Sequence, residues 1–426
     1  MFFRDDLPEA SADLKVLLPA SSVAPRYDSA SLINVPPSIG HILGVDEGWA
    51  APPLEPERLS SLGNAKRVML IVLDGVGWEK LQAQREHQDF KTILDEQARA
   101  LFPITSVAPS TTAAATTVLL GDGSSPVENG MLGYSFFVPE IGALANMLFW
   151  YPAGKHKVRD GELEDWGLEP ETFLKTASIA EVLGQADIKT RIIMPKAYAY
   201  SPLSRMRPRG AQIDGYINAA DMWRKAKTWL ADTSGQRAFS YLYYADFDSL
   251  SHRDGPDALI WDDVWAEFMF HLQRFLDSLT PQERQDTLLL FTADHGHIAT
   301  PKPKRLLLSD YPELTRHSRM LVGGEARHLY LYAQTGEQDA LLAATKEALG
   351  EQFTVLDGRA AFEAGLYGPP DRAHPDALKR LGDVIAVAKG QYYAWTGADE
   401  HYLLGKHGAL ESEEMVVPLL ALEPRS

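Results

Sequence analysis

From about residue 66 onward the chain alternates short apolar runs with segments of helical period. The clearest run, Arg67-Val-Met-Leu-Ile-Val-Leu73, has no polar position after its arginine. A strand with one wet face would alternate, so an unbroken run predicts a strand buried on both faces, as in a parallel sheet. Thr287–Phe291 has the same character, and strands are predicted at Arg191–Met194, Ala238–Ala245 and Met415–Leu422. Between them, amphipathic spacing predicts helices at Trp78–Arg85, Ala177–Gly184, Asp221–Ala231 and near Asp257–Ser278. Strand and helix in alternation give an α/β fold.

Two stretches stand outside this rhythm. Residues Leu7 to about Asn64 are rich in Pro and Ser with short apolar clusters, and read as an extended arm lying on the main domain. Past His297, about a hundred residues carry strands at His328–Tyr332 and Val384–Ala388 and a helix at Asp339–Leu349. They read as an insertion between core elements. The expected organisation is an arm over 1–64, a core over 65–300 and 400–426, and an inserted α+β cap over 301–399.

Composition narrows the function classes. At 426 residues the chain exceeds the size at which single cores stop growing, which fits one large domain with a cap. With 45% hydrophobic and 23% charged residues it is an ordinary globular protein. It has no cysteine, which removes disulfides, thiolate nucleophiles and cysteine-based zinc sites together. Any metal must be held by histidines and carboxylates. A net charge of −17 argues against polymeric nucleic acid as a partner. The acidic amino terminus lacks the apolar core of a signal peptide, and no run reaches the length of a membrane span, so a cytoplasmic location is expected.

Candidate chemistry collects at the carboxyl ends of the predicted strands, where open α/β sheets bind ligands. Asp294-His295 follows the run ending at Phe291, with Gly296 turning the chain. An oxygen and an imidazole donor side by side suit zinc or manganese, although such a pair is also ordinary turn chemistry. Asp74 follows the best strand, as a ligand or as a helix N-cap. Asp248 and His252 stand four residues apart beyond Ala238–Ala245, foldable onto one cation by a loop; Asp246 or Asp248 is alternatively a helix cap, and His252 a surface residue. After Pro109, a Thr-Thr-Ala-Ala-Ala segment predicts a helix whose first hydroxyls cap it or serve as a nucleophile in the positive field of the helix end. His407 stands between Lys406 and Gly408 in a loop before the last strand. The aromatic-rich stretch 130–150 lines a pocket mouth or forms a satellite core.

Taken in order, Asp74, the threonine at a helix start, Asp248 with His252, Asp294 with His295, and Gly405-Lys406-His407-Gly408 resemble the alkaline phosphatase superfamily. The resemblance is greatest to its type I phosphodiesterase/nucleotide pyrophosphatase family and runs from about residue 66 to 422. It implies an α/β/α sandwich with a mostly parallel sheet and a small inserted cap. It also implies two divalent cations, zinc with manganese as the alternative. One would be held by Asp248, His252 and His407, the other by Asp74, Asp294, His295 and the nucleophile Thr112; such ions lie roughly 3.5 to 4 Å apart and clamp an in-line phosphoryl transfer. Counting from Pro109 selects Thr112, whereas counting back from Gly121 selects Thr111. Where nucleotide-cleaving members have an asparagine for a phosphate oxygen, this chain has Tyr134, so Tyr134 or Asn146 joins the Thr112 amide as the expected substrate contact. The implied activity is hydrolysis of a small-molecule phosphodiester or pyrophosphate through a phosphothreonine. Phosphomonoester, phosphonate or sulfate ester hydrolysis is the alternative within the superfamily, and a non-catalytic metal-binding protein the alternative outside it. The sequence leaves the oligomeric state open.

Overall fold

The computed structural model describes residues 2–154, 158–207, 209–395 and 403–424. Eight strands build the central sheet: β1 (Phe2–Phe3), β2 (Arg67–Leu73), β3 (Ala98–Thr105), β4 (Lys189–Pro195), β5 (Gln212–Tyr216), β6 (Ala238–Tyr244), β7 (Thr287–Thr292) and β8 (Val416–Leu422). Their order across the sheet is β1-β3-β8-β7-β2-β6-β4-β5. Every neighbouring pair is parallel except those made by β8, which runs antiparallel to both β3 and β7. The expected mostly parallel sheet is therefore present, with helices over both faces.

The apolar runs form the strands because each is buried throughout: every residue of β2, β6, β7 and β8 is buried. Burying a large aliphatic side chain contributes about 1.5–3 kcal/mol, so each of these strands adds substantially to the hydrophobic stabilisation. Register then fixes the site. Arg67 lies opposite both Thr287 and Ala238, so β2, β6 and β7 finish at one level. The residues just beyond each carboxyl end, Asp74, Asp248 and Asp294, consequently emerge together.

The amino-terminal segment is helical where an extended arm was expected. Ala12–Leu17, Val35–Ile42 and Pro56–Leu62 are short helices, and Leu32, Ile33 and Ile39 enter the main core. Proline at the start of Val35–Ile42 and Pro56–Leu62 occupies first-turn positions, where its missing N–H is not needed. A second core gathers the later segment, with a four-stranded antiparallel sheet (Gly323–Glu325, His328–Leu331, Val384–Ala388, Phe353–Asp357) under the helix Gln338–Leu349. The stretch 130–150 also joins this core: Ser135–Val138, Ala143–Asn146 and Tyr151–Pro152 form a small sheet, with Phe136 and Trp150 buried. The expected boundary between cap and returning core, at 399 and 400, falls on residues outside those described.

Candidate active site

Five segments bring the candidate side chains to the carboxyl edge of the sheet. Asp74 follows β2 directly and is anchored by its amide on Tyr244 O, 3.0 Å away. Gly75 then turns the chain at φ +77°, and a Cβ there would lie 2.8 Å from the His297 ring. Asp248 and His252 sit on a helix, α2 (Asp246–Asp254), rather than on the expected loop. The i, i+4 spacing puts both on one face of it. Asp294, His295 and His297 follow β7 in the bend and loop that lead to Ile298–Ala299. Gly296 must be glycine, because a Cβ would stand 1.9 Å from Glu413 O.

Helix α1 (Thr112–Leu119) follows β3, with Thr111 as its N-cap residue. The Thr111 hydroxyl makes no capping bond, contrary to the simple capping expectation; it is hydrogen-bonded to Glu325 instead. The Thr112 hydroxyl faces the other way, 3.1 Å from His295 Nε2. His407 arrives by pairing: Ile298 lies opposite Lys406 and Ala299 opposite Gly405, so His297 and His407 are held side by side. Ser110 ties this loop to the entry of α1, its Oγ donating to Ala409 O at 2.8 Å and accepting from Gly408 N.

Two groups of donor atoms result. His295 Nε2 is 3.4 Å from Asp294 Oδ2 and 3.6 Å from Asp74 Oδ1. Both of those carboxylate oxygens are buried without a hydrogen-bond partner. Such orphaned oxygens cost several kcal/mol unless a cation meets them. In the second group, Asp248 Oδ1 is 3.3 Å from His252 Nε2 and 3.9 Å from His407 Nε2. Ligand atoms of Asp248, His295, His297 and His407 all lie within 4.8 Å of one another, as do those of Asp74, Asp294 and His295.

The hydrogen bonds behind three of the imidazoles fit metal ligation. His252 Nδ1 faces Gly405 O at 2.8 Å, His295 Nδ1 faces Gly296 O at 3.1 Å, and His407 Nδ1 faces Ser110 O at 3.0 Å. A carbonyl only accepts, so each Nδ1 carries the proton and each Nε2 is a bare donor turned to the cluster. Tyr243 donates to Asp74 Oδ2, fixing which oxygen of that carboxylate stays free. Burial, then the charges of Asp248 and Asp294, pushes the Asp74 carboxyl well above its usual range. Burial alone would raise Asp248, but the imidazoles of His252, His297 and His407 outweigh it and hold that carboxyl low. Burial, then neighbouring imidazoles, pushes His407 well below its ordinary value. Neutral imidazole is the metal-binding form.

The two candidate substrate contacts are placed differently. Asn146 Oδ1 accepts from the amides of Leu148 and Phe149, at 3.1 and 3.0 Å, and so caps a turn in the small sheet. Among the described residues, no hydrogen bond or ion pair joins Asn146 to the carboxylate and imidazole groups. Tyr134 stands just ahead of the same sheet, half-buried, its carbonyl accepting from Met147. Sequence reasoning missed His297, Tyr243 and Glu325. His297 alone carried a signal, as a further imidazole two residues past the Asp294-His295 pair.

The type I phosphodiesterase/nucleotide pyrophosphatase family model matches residues 68–410. Among solved structures, murine ectonucleotide pyrophosphatase/phosphodiesterase 5 is 18% identical, covering 83% of this chain and 87% of that one at a TM-score of 0.60. An inactive threonine-to-alanine form of the same murine protein, in complex with AMP, matches at 17% identity, the same coverage and the same TM-score of 0.60. Phosphonoacetate hydrolase from Sinorhizobium meliloti 1021, in complex with phosphonoformate, matches at 16% identity, 83% and 89% coverage and a TM-score of 0.61. At these identities the likeness establishes the alkaline-phosphatase-like fold. No curated protein sequence matches the chain. The family match begins inside β2 and closes just past His407, so it encloses all the converging donors, and the chain belongs to the type I phosphodiesterase/nucleotide pyrophosphatase family, a family of hydrolytic enzymes.

Proposed function

We propose that the protein hydrolyses the phosphodiester or pyrophosphate bond of a small molecule at a two-cation site, through a phosphothreonine on Thr112. The observation that carries this reading is the placement of the Thr112 hydroxyl at a helix amino end, 3.1 Å from His295 Nε2, beside the unpartnered Asp74 and Asp294 oxygens. Asp74, Thr112, Asp294 and His295 would hold one ion, and Asp248, His252 and His407 the other, zinc with manganese as the alternative. When bound, the ions supply Lewis-acid stabilisation of the phosphoryl oxygens and lower the pKa of the threonine hydroxyl.

The chain's own residues do the rest. Thr112 Oγ1, its proton lost to solvent, bonds to phosphorus as the bond to the leaving oxygen breaks, and the electron pair departs with that oxygen, which takes up a proton from solvent. Water then attacks the phosphothreonine from the opposite side and releases phosphate or a phosphate monoester. The first-turn amides of α1 point out of the helix end and receive a non-bridging oxygen. The threonine-to-alanine change in the inactive AMP complex of the murine relative supports the role of a threonine. Phosphonate hydrolysis is the second reading, favoured by the equal fold likeness to phosphonoacetate hydrolase.

Metal removal tests the reading. Exhaustive chelation should abolish hydrolysis of chromogenic phosphate esters and lower Tm, since ions bound only by the folded state stabilise it. Readdition of Zn2+ or Mn2+ should restore both. Full activity in protein shown to be metal-free would overturn it.

A further inference from the structure

His297 is the fourth imidazole of the cluster, and neither the metal pattern nor the mechanism above uses it. Its side chain is 1% exposed, and Nε2 lies 2.7 Å from Asp248 Oδ1. The same oxygen is thus approached by three imidazole nitrogens, from His297, His252 and His407. The three rings stand around it at mutual centroid distances of 4.7 to 5.1 Å. Two features of the fold enforce this position: the pairing of Ile298 with Lys406 sets His297 beside His407, and the missing Cβ of Gly75 leaves room for the ring.

A histidine buried only for packing has both ring nitrogens satisfied. His328 is such a residue, with Nδ1 on Gly408 O at 3.1 Å and Nε2 on the Tyr367 hydroxyl at 2.6 Å. His297 is not: among the described residues its one hydrogen-bond partner is Asp248, the carboxylate it shares with the rings of His252 and His407, and its ligand atom lies within 4.8 Å of those of Asp248, His295 and His407. Resting on the two-cation reading, we infer that His297 is a fourth protein ligand of the cation held by Asp248, His252 and His407. Four protein ligands complete a tetrahedral zinc shell, so water or a leaving-group oxygen enters this shell only as a fifth ligand.

The test uses the full chain, stripped of metal and titrated with Zn2+. Zinc stoichiometry and competition with a chromophoric chelator are measured for the native protein and His297→Gln, with long-range 1H–15N imidazole spectra of the native protein as an independent readout. The native protein should take two ions, and the His297 Nε2 resonance should shift with those of His252, His295 and His407. His297→Gln should bind one of its two ions at least 10-fold more weakly, since even losing an outer partner of a ligand costs 10 to 100-fold. If the native protein takes two ions and the variant matches its affinities within twofold, His297 is structural and the inference falls while the two-cation reading stands. If Nε2 keeps its proton in the loaded protein, His297 orients Asp248 by a hydrogen bond, and the ligand assignment is again overturned. If the native protein binds no zinc, both fall together. The spectra report on the native protein even if the variant does not fold.

Discussion

Arg327 and Glu414 face each other through two parallel hydrogen bonds of 2.8 and 2.7 Å, both side chains wholly inaccessible to solvent. Arg327 lies in the turn between the strands Gly323–Glu325 and His328–Leu331 of the later segment, and Glu414 precedes β8; Glu414 Oε1 also accepts from Ala409, two residues past His407. The pair therefore fastens one layer to the other beside the site. Arg327→Met should cost about 3–5 kcal/mol in urea unfolding, because it strands a buried carboxylate. Arg327→Met with Glu414→Leu should recover much of that loss, since an apolar pair of similar size replaces buried ions at little cost. A loss below about 1 kcal/mol in the single variant would show the charge to be compensated elsewhere.

Thr112→Ala should remove turnover while zinc content stays at the native level, because the carboxylates and imidazoles remain. Thr111→Ala should keep most activity. Its hydroxyl makes no cap, so its effect comes through the released Glu325, a carboxyl that burial holds well above its ordinary range. Phosphopeptide trapping at low pH reads out the site directly. An active Thr112→Ala with an inactive Thr111→Ala would transfer the role.

Diesters should be preferred to monoesters. A monoester brings a second negative charge, which enzymes meet with extra cationic groups. Among the described residues, no lysine or arginine makes an ion pair with Asp74, Asp248 or Asp294. Arg253 is exposed and bound to Asp254, and Lys406 is turned onto the rings of Tyr393 and Trp395, at 5.0 and 5.8 Å. Accordingly kcat/KM should be higher for bis-p-nitrophenyl phosphate than for p-nitrophenyl phosphate, with p-nitrophenyl sulfate slower than both. The reverse order would refute this.

Burial pushes His328 down to about 4, below the ordinary imidazole value. Between about pH 6.5 and 4 the unfolded chain therefore binds a proton that the folded chain refuses, and stability falls as pH falls through that window. His328→Phe loses two hydrogen bonds and starts less stable, but its unfolding free energy should decline less steeply there, by close to one proton. Parallel pH profiles for the two proteins would contradict the neutral, buried state.

The strands were legible wherever burial on both faces left an unbroken apolar run: Arg67–Leu73 forms β2 without a residue's difference. Asp246–Asp254 was read as loop because Asp-Phe-Asp-Ser-Leu-Ser-His-Arg-Asp has no apolar period; Phe247 and Ser251 are its buried residues, so tertiary packing makes the helix. The small sheet at 135–152 was invisible for a related reason, since strands of two to four residues carry too little pattern. Of the aromatics in and just before it, Phe136 and Trp150 are core, which leaves Tyr134, Phe137, Phe149 and Tyr151 as the partly exposed ones. Position along the chain revealed the donors but not their neighbours: His297 and Tyr243 matter through what register and pairing place beside them.

The antiparallel β8 lies between β3 and β7, in the interior of the sheet. Synthesis is vectorial, so residues 416–422 leave the ribosome after every strand they must join. Until then β3 and β7 border an open slot whose backbone groups lack partners, a template for mispairing with another chain. The donor His407 likewise emerges after all the other candidate donors. Completion of the proposed ion site and closure of the sheet therefore both wait for segments that follow β7, and a nascent chain that stalls before β8 is exposed at the centre of its own fold.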